Sequence, residues 1–233
     1  KDYRKKFPSG DYYSDVSGAL AGLYRDTGND AEFLEMATNF LDTRPQDPVS
    51  PSLFAQWASF LIEREQYVDL ITQAAIWYDK HSNSIYEDAI FYWSGMSELQ
   101  LGQYADAVSS FTRLIEKYPT SLYAEDGLLR KGAAQFYAQD SMPARDTLQL
   151  YVSKYPNGQA RDQAYFFLGE LENLAGNLEL ALEYLSKADE LTTIQDVHNA
   201  VAFRMGTIYE ALERYKEMAS HFENYIMRFG DSG

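Results

Sequence analysis

The sequence predicts an all-α solenoid of antiparallel helix pairs with a 37-residue period. Three observations predict it. Gly95, Gly132, Gly169 and Gly206 stand 37 residues apart without a gap. Gly28, Gly102 and Gly176 form a second column of the same phase, and Pro8, Pro45, Pro119 and Pro156 form a third. No segment alternates apolar and polar residues over a useful length, so no strands are expected.

The elements follow in order. Residues 1–13 read as the tail helix of a truncated preceding repeat, because Lys6-Phe7-Pro8 is in phase with Lys117-Tyr118-Pro119 and Lys154-Tyr155-Pro156, and Tyr3 falls in a bulky column. Six units follow, at 14–50, 51–87, 88–124, 125–161, 162–198 and 199–233, in one continuous array. Each unit holds two helices. The third has one from Asp88 to Leu101 and one from Tyr104 to Lys117. Gly102 and Gly176 suit the residue just past a helix end, and Pro119 or Pro156 stops the second helix. Ser84-x-x-Glu87 has the spacing of a capping box, and Ser141 with Pro143 suits a helix start. At the far end Phe229-Gly230 is in phase and no polar capping helix follows. The sequence therefore reads as a slice of a longer protein, with end faces prone to self-association.

A glycine inside a helix costs about 1 kcal/mol relative to alanine, so the Gly95 column needs a packing reason. Ala107, Ala144 and Ala181, twelve residues on, suggest small residues facing small across each pair. The first two units place Ala21 and Ala58 in that column, opposite Phe33 and Leu70, so looser or shifted packing is expected there.

These columns resemble the tetratricopeptide repeat (TPR) family, which has Gly or Ala at position 8, Ala at 20, an aromatic at 24 and Pro at 32. Gly95, Gly102, Tyr104, Ala107, Phe111 and Pro119 of the third unit match best. The period is three residues longer than the family's usual one, and position 27 is bulky here: Phe40, Trp77, Leu114, Tyr151, Tyr225. The resemblance covers essentially the whole chain and implies a right-handed superhelix with a concave groove. The linkers Tyr118-Pro119-Thr120-Ser121 and Tyr155-Pro156-Asn157-Gly158 are similar to those of a bacterial envelope branch, which includes outer-membrane-assembly lipoproteins and Tol-Pal-associated periplasmic proteins. That similarity implies a scaffold in envelope assembly, periplasmic or outer-membrane-associated, with a cytoplasmic location left open.

Composition narrows the chemistry. The 233 residues carry a formal charge of −15 and are 45% hydrophobic. That apolar content argues for a folded chain. The acidity argues against nucleic acid and anionic membrane surfaces. There are no cysteines, which excludes disulfides and thiolate sites. Asp26-Thr27-Gly28 spells an aspartic-protease motif but sits at a helix-helix turn. The run from Asp26 fails as a calcium loop, with Ala31 and Ala37 at two key positions. His81, His198 and His221 lack metal-ligand spacing. No catalytic residue, metal or cofactor is expected.

What remains is one face of the first helices. Positions 2, 5, 9, 12 and 13 of each unit share a stripe, and in TPR proteins that stripe lines the groove. It holds Tyr92, Met96 and Leu99, then Leu129, Ala133, Phe136 and Tyr137, then Phe166, Glu170, Asn173 and Leu174, then Phe203. Asp126 and Glu210 add to an acidic edge. An apolar, aromatic groove with that edge suits a hydrophobic or basic peptide segment. The family's carboxylate clamp uses Lys and Asn where this chain has Tyr92, Met96 and Gln100, and Leu129, Ala133 and Tyr137, so that subtype is not expected. Two alternatives stand beside this reading: the aromatics pack on one another, or the array is the recruitment domain of a larger enzyme or sensor, such as a peptidoglycan-processing protein.

Overall fold

The computed structural model describes residues 12–81 and 83–230, and these hold twelve helices and no strand. The chain divides into two compact units, Lys1–Ala124 and Glu125–Gly233. The first contains the pairs α1 (Tyr13–Asp26) with α2 (Asp30–Thr43), α3 (Ser50–Glu63) with α4 (Tyr67–Lys80), and α5 (Glu87–Gln100) with α6 (Tyr104–Lys117). The second contains α7 (Ala124–Tyr137) with α8 (Ser141–Lys154), α9 (Arg161–Leu174) with α10 (Leu178–Leu191), and α11 (Gln195–Ala211) with α12 (Tyr215–Phe229). The expected tail helix, with Tyr3 and Lys6-Phe7-Pro8, lies outside the described residues except at its last two positions, and Tyr13 begins α1. The helix α11 starts a turn early. It begins at Gln195, two residues after Thr193 of the proline column.

Every first helix ends in the same way. Gly28, Glu65, Gly102, Gln139, Gly176 and Glu213 all have positive φ, between 57° and 78°. The next amide then reaches back five residues, as from Asn29 to the Tyr24 carbonyl and from Asn177 to the Glu172 carbonyl, both at 2.9 Å. These bonds satisfy carbonyls that a helix end would leave orphaned. The glycine column thus marks half of a backbone feature present six times. Asp26-Thr27-Gly28 is one copy of it, the close of α1.

The expected capping box is not formed. The helix α5 begins at Glu87 itself, and the Glu87 carboxylate accepts from the Asn83 amide at 3.1 Å while Ser84 Oγ is buried without a partner. Glu87 also binds Lys117. The helix α8 does start at Ser141, with Asp140 rather than Ser141 at the cap.

Packing around the Gly95 column corrects the expected pairing. A Cβ added at Gly95 would lie 2.8 Å from the Phe111 ring; at Gly132, 2.7 Å from Leu148; at Gly169, 2.7 Å from Leu185. The glycines therefore receive a large side chain from sixteen residues on, not the alanine from twelve residues on. Ala181 contributes its backbone instead, its carbonyl oxygen 3.4 Å from the Cβ position on Gly169. In the first two pairs the sizes are exchanged. The residues sixteen on from Ala21 and Ala58 are Ala37 and Ala74, and the bulk moves to Phe33 and Leu70; all six are fully buried. Bulk there sits a helical turn earlier, and the helices of these two pairs approach one another less extensively than α5 with α6 or α9 with α10.

Two glycines make this testable. Gly22 lies within α1 with nothing within 4 Å of an added Cβ. Gly22→Ala should therefore realise the helix-propensity gain of about 1 kcal/mol. At Gly169 the same gain is outweighed by overpacking against buried Leu185, which typically costs about 1–3 kcal/mol. Urea titration should move the Gly22→Ala midpoint up and the Gly169→Ala midpoint down; an upward move for both would overturn the close-approach reading.

The first unit's core centres on Trp77, whose ring lies 4.8 Å from Trp57, 5.9 Å from Phe54 and 6.4 Å from Tyr86. The Tyr86 hydroxyl donates to the Leu41 carbonyl at 3.1 Å, and burial pushes that phenol's pKa upward. Trp77 and Tyr151 occupy one core column as expected, but Tyr225 in that column is only half-buried. Tyr67, Tyr104 and Tyr215 begin their helices, and none is buried.

Candidate functional site

The two units treat the groove stripe differently. In the first, Tyr92, Met96 and Leu99 are half-buried on α5. The Tyr92 ring stacks on Tyr123, 4.6 Å away and tilted by 22°, and meets Trp93 and Phe111 edge-on. That is cohesive packing, and burial raises the Tyr123 phenol's pKa accordingly.

In the second unit α7 turns Leu129 and Ala133 inward. Leu129 is 1% exposed and Ala133 is buried, so they offer no surface to a ligand. Beyond them lies an aromatic cluster. Phe136 is 5.2 Å from Phe167 and 5.5 Å from Tyr137, and Phe167 also meets Tyr137 at 6.0 Å and Phe166 at 6.1 Å. Phe167 binds this cluster together and was missed because it sits at position 6, one place off the stripe; the Phe166-Phe167 doublet was the signal that could have found it. Phe136 and Phe166 are half-buried, whereas Tyr137 is 50%, Leu174 71% and Phe203 68% exposed.

The acidic edge is also altered. Glu170 is buried and accepts from Arg204 Nε at 2.5 Å, so its charge is offset rather than displayed. Asn173 is half-buried, Asp126 accepts from Arg130 at 3.2 Å, and Glu210 is exposed. Near Glu170, the buried Glu172 accepts from Arg145 at 2.6 Å and Asn177 at 2.7 Å. Burial opposes its ionisation, but these two partners outweigh it and hold the carboxyl below its usual range. In the same column of the first unit, burial pushes Glu98 up, against a hydrogen bond from Ser110. Sequence spacing did not distinguish the two.

Among the described residues, no three His, Cys, Asp or Glu side chains group as metal ligands, and no helix is long and apolar enough to cross a membrane.

Comparison with known proteins places this geometry. No curated protein sequence matches the chain. Among solved structures, PilW, a widely conserved type IV pilus biogenesis factor, superposes with a TM-score of 0.67 at 17% identity, covering 95% of this chain and 96% of its own. MamA from Desulfovibrio magneticus gives 0.62 at 22% identity, covering 78% and 97%. YrrB, a TPR protein with an unusual peptide-binding site, gives 0.60 at 15% identity, covering 82% and 90%. These likenesses establish the TPR-type, all-helical fold. The model of the YfiO family, described as outer membrane lipoprotein, matches residues 85–224. Its match takes in more than half of the sequence and runs from the linker before α5 into the last helix, so the chain belongs to the YfiO outer membrane lipoprotein family.

Proposed function

We propose that the chain is a non-catalytic protein-interaction scaffold of the bacterial envelope, built of six 37-residue repeats, whose second unit presents a groove for a hydrophobic or basic peptide segment. The observation that supports this reading is the exposure of Tyr137, Leu174 and Phe203 on three successive first helices of the second unit. Large apolar side chains held in water on rigid helices are a surface that a partner can cover with little ordering cost. The chain's net charge of −15 favours a basic segment over an acidic one. Membership of the YfiO family supports the envelope setting. YrrB, a TPR protein of similar fold with an unusual peptide-binding site, supports a peptide as the class of ligand.

Fluorescence anisotropy with labelled amphipathic peptides tests it, one series flanked by lysine and one by glutamate. The lysine series should bind and the glutamate series should not. The double variant Leu174→Glu, Phe203→Glu should weaken binding by about tenfold or more, equivalent to about 1.4 kcal/mol, with an unchanged thermal midpoint because both side chains are exposed. Equal binding of both series, or undiminished binding by the double variant, would overturn the proposal.

A further inference from the structure

The residue that opens a repeat usually finds a side-chain partner 26 or 33 places on. Ser14 donates to Asp47 at 2.5 Å, and Asp88 accepts from Ser121 at 2.6 Å. Glu125 accepts from the Tyr151 hydroxyl at 3.2 Å, and Asn199 accepts from the Tyr225 hydroxyl. Asp162 opens the fifth repeat, and both partners fail it. The residue 26 on is Ala188, which has no hydroxyl. The residue 33 on is Gln195, whose amide nitrogen donates to Asn199 at 2.9 Å instead. Among the described residues Asp162 makes no side-chain hydrogen bond or ion pair, although it is only 7% exposed. It lies in the first turn of α9, where the helix dipole offsets part of its charge without supplying a hydrogen bond. A polar group this buried is normally partnered.

Asp162 also lines a recess of about 300 Å³, together with Asn157, Gly158, Gln159, Arg161 and Leu191. Arg161 does not answer it, because that guanidinium donates to the Pro156 carbonyl. The volume is at the lower end for ligand sites, so it suits one side-chain-sized group. Asp162 offers an accepting carboxylate, Asn157 and Gln159 bring amide oxygens, and Leu191 gives an apolar wall. A primary ammonium on a short alkyl chain matches all three, with N–H donors at its tip and methylenes behind. A guanidinium matches less well, because its fork pairs with both oxygens of an open carboxylate and this one is nine-tenths covered.

We propose that this recess binds a primary alkylammonium group, with Asp162 as its counter-ion. The site is separate from the groove, since Tyr137, Leu174 and Phe203 do not line the recess.

Amide NMR titration of the 233-residue chain tests this with n-pentylammonium, Nα-acetyl-lysine N-methylamide and, as the uncharged counterpart, n-pentanol. Both ammonium probes should shift the Gly158, Gln159 and Asp162 signals to saturation, and pentanol should not. Asp162→Asn keeps the shape and removes the charge. It should weaken the ammonium probes by about tenfold or more, with circular dichroism checking the fold. Saturation by the lysine compound alone would support the site with a peptide side chain as the source; equal binding of pentylammonium would support it with a free amine. Equal shifts by pentanol would overturn the proposal, and that comparison needs no variant. So would undiminished binding by Asp162→Asn. Shifts that never saturate and spread over the acidic surface would overturn it too, as diffuse attraction to the charge of −15. The double variant Leu174→Glu, Phe203→Glu should leave binding in the recess unchanged, so the groove and this site fail separately.

Discussion

Trp77→Ala is expected to destabilise the protein by about 3–5 kcal/mol, the range for truncating a fully buried aromatic. Trp77 has no solvent exposure and is met by Phe54, Trp57 and Tyr86 on three sides. The cavity cannot collapse easily, because its walls are rings on α3 and the linker into α5, which are themselves packed against neighbours. All three tryptophans, Trp57, Trp77 and Trp93, belong to the first unit. Intrinsic fluorescence therefore follows that unit, and its urea transition should move to much lower denaturant in Trp77→Ala. A shift worth less than about 1 kcal/mol would mean that the core there is not close-packed.

The second large effect is expected at Arg145. Arg145→Met leaves Glu172, only 3% exposed, with Asn177 as its remaining partner. Breaking a buried pair from one side costs about 3–5 kcal/mol. Because Arg145 is itself a quarter exposed, water can replace part of its role, and about 2–3 kcal/mol is expected at neutral pH. The pH dependence carries the signature. Glu172 has a lowered folded pKa, so its contribution is present above the unfolded carboxylate value and is lost as pH falls through the folded one. The gap between Arg145→Met and the parent should therefore shrink in acid. Glu98 works with the opposite sign. Its folded pKa is raised, so the folded state holds its proton longer and stability falls as pH climbs from the unfolded value through the folded one. Glu98→Gln should remove that fall and stabilise at neutral pH, with little difference in acid. Chemical denaturation at several pH values measures both; a Glu98→Gln variant less stable than the parent at neutral pH would refute the account of Glu98.

The two glutamates show where sequence reading reaches its limit. The repeat, the helix pairs and the turn glycines follow from residue spacing, because backbone geometry repeats whenever small and breaking residues do. The fate of a side chain depends on what the preceding pair places beside it. Arg145 lies 27 residues before Glu172, and Ile71 lies 27 residues before Glu98. The position that supplies Glu172 with a cation is thus occupied by an aliphatic residue in the earlier repeat. The groove stripe failed in part for a related reason. Leu129 and Phe166 share a position, yet one is buried and the other half-buried. Periodicity placed Phe136, Tyr137, Leu174 and Phe203 on one stripe and left Phe167 off it, since a doublet of phenylalanines at the edge of a stripe serves two faces.

The exchange of bulk between Phe33 with Ala37 and Ala107 with Phe111 has a consequence for how such an array can be altered by recombination. A second helix of the α6 kind brought against α1 would drive a phenyl ring onto Ala21, where no gap is provided. A second helix of the α2 kind brought against α5 would leave the hollow over Gly95 empty. The chain is written in two incompatible dialects, one shared by its first two helix pairs and another used from Gly95 onward. Duplication or deletion of whole repeats within a dialect leaves this glycine or alanine packing as it is. A crossover that joins the first helix of one to the second helix of the other is not, so the splice points open to this protein lie in the linkers between pairs and not in the tight turns within them.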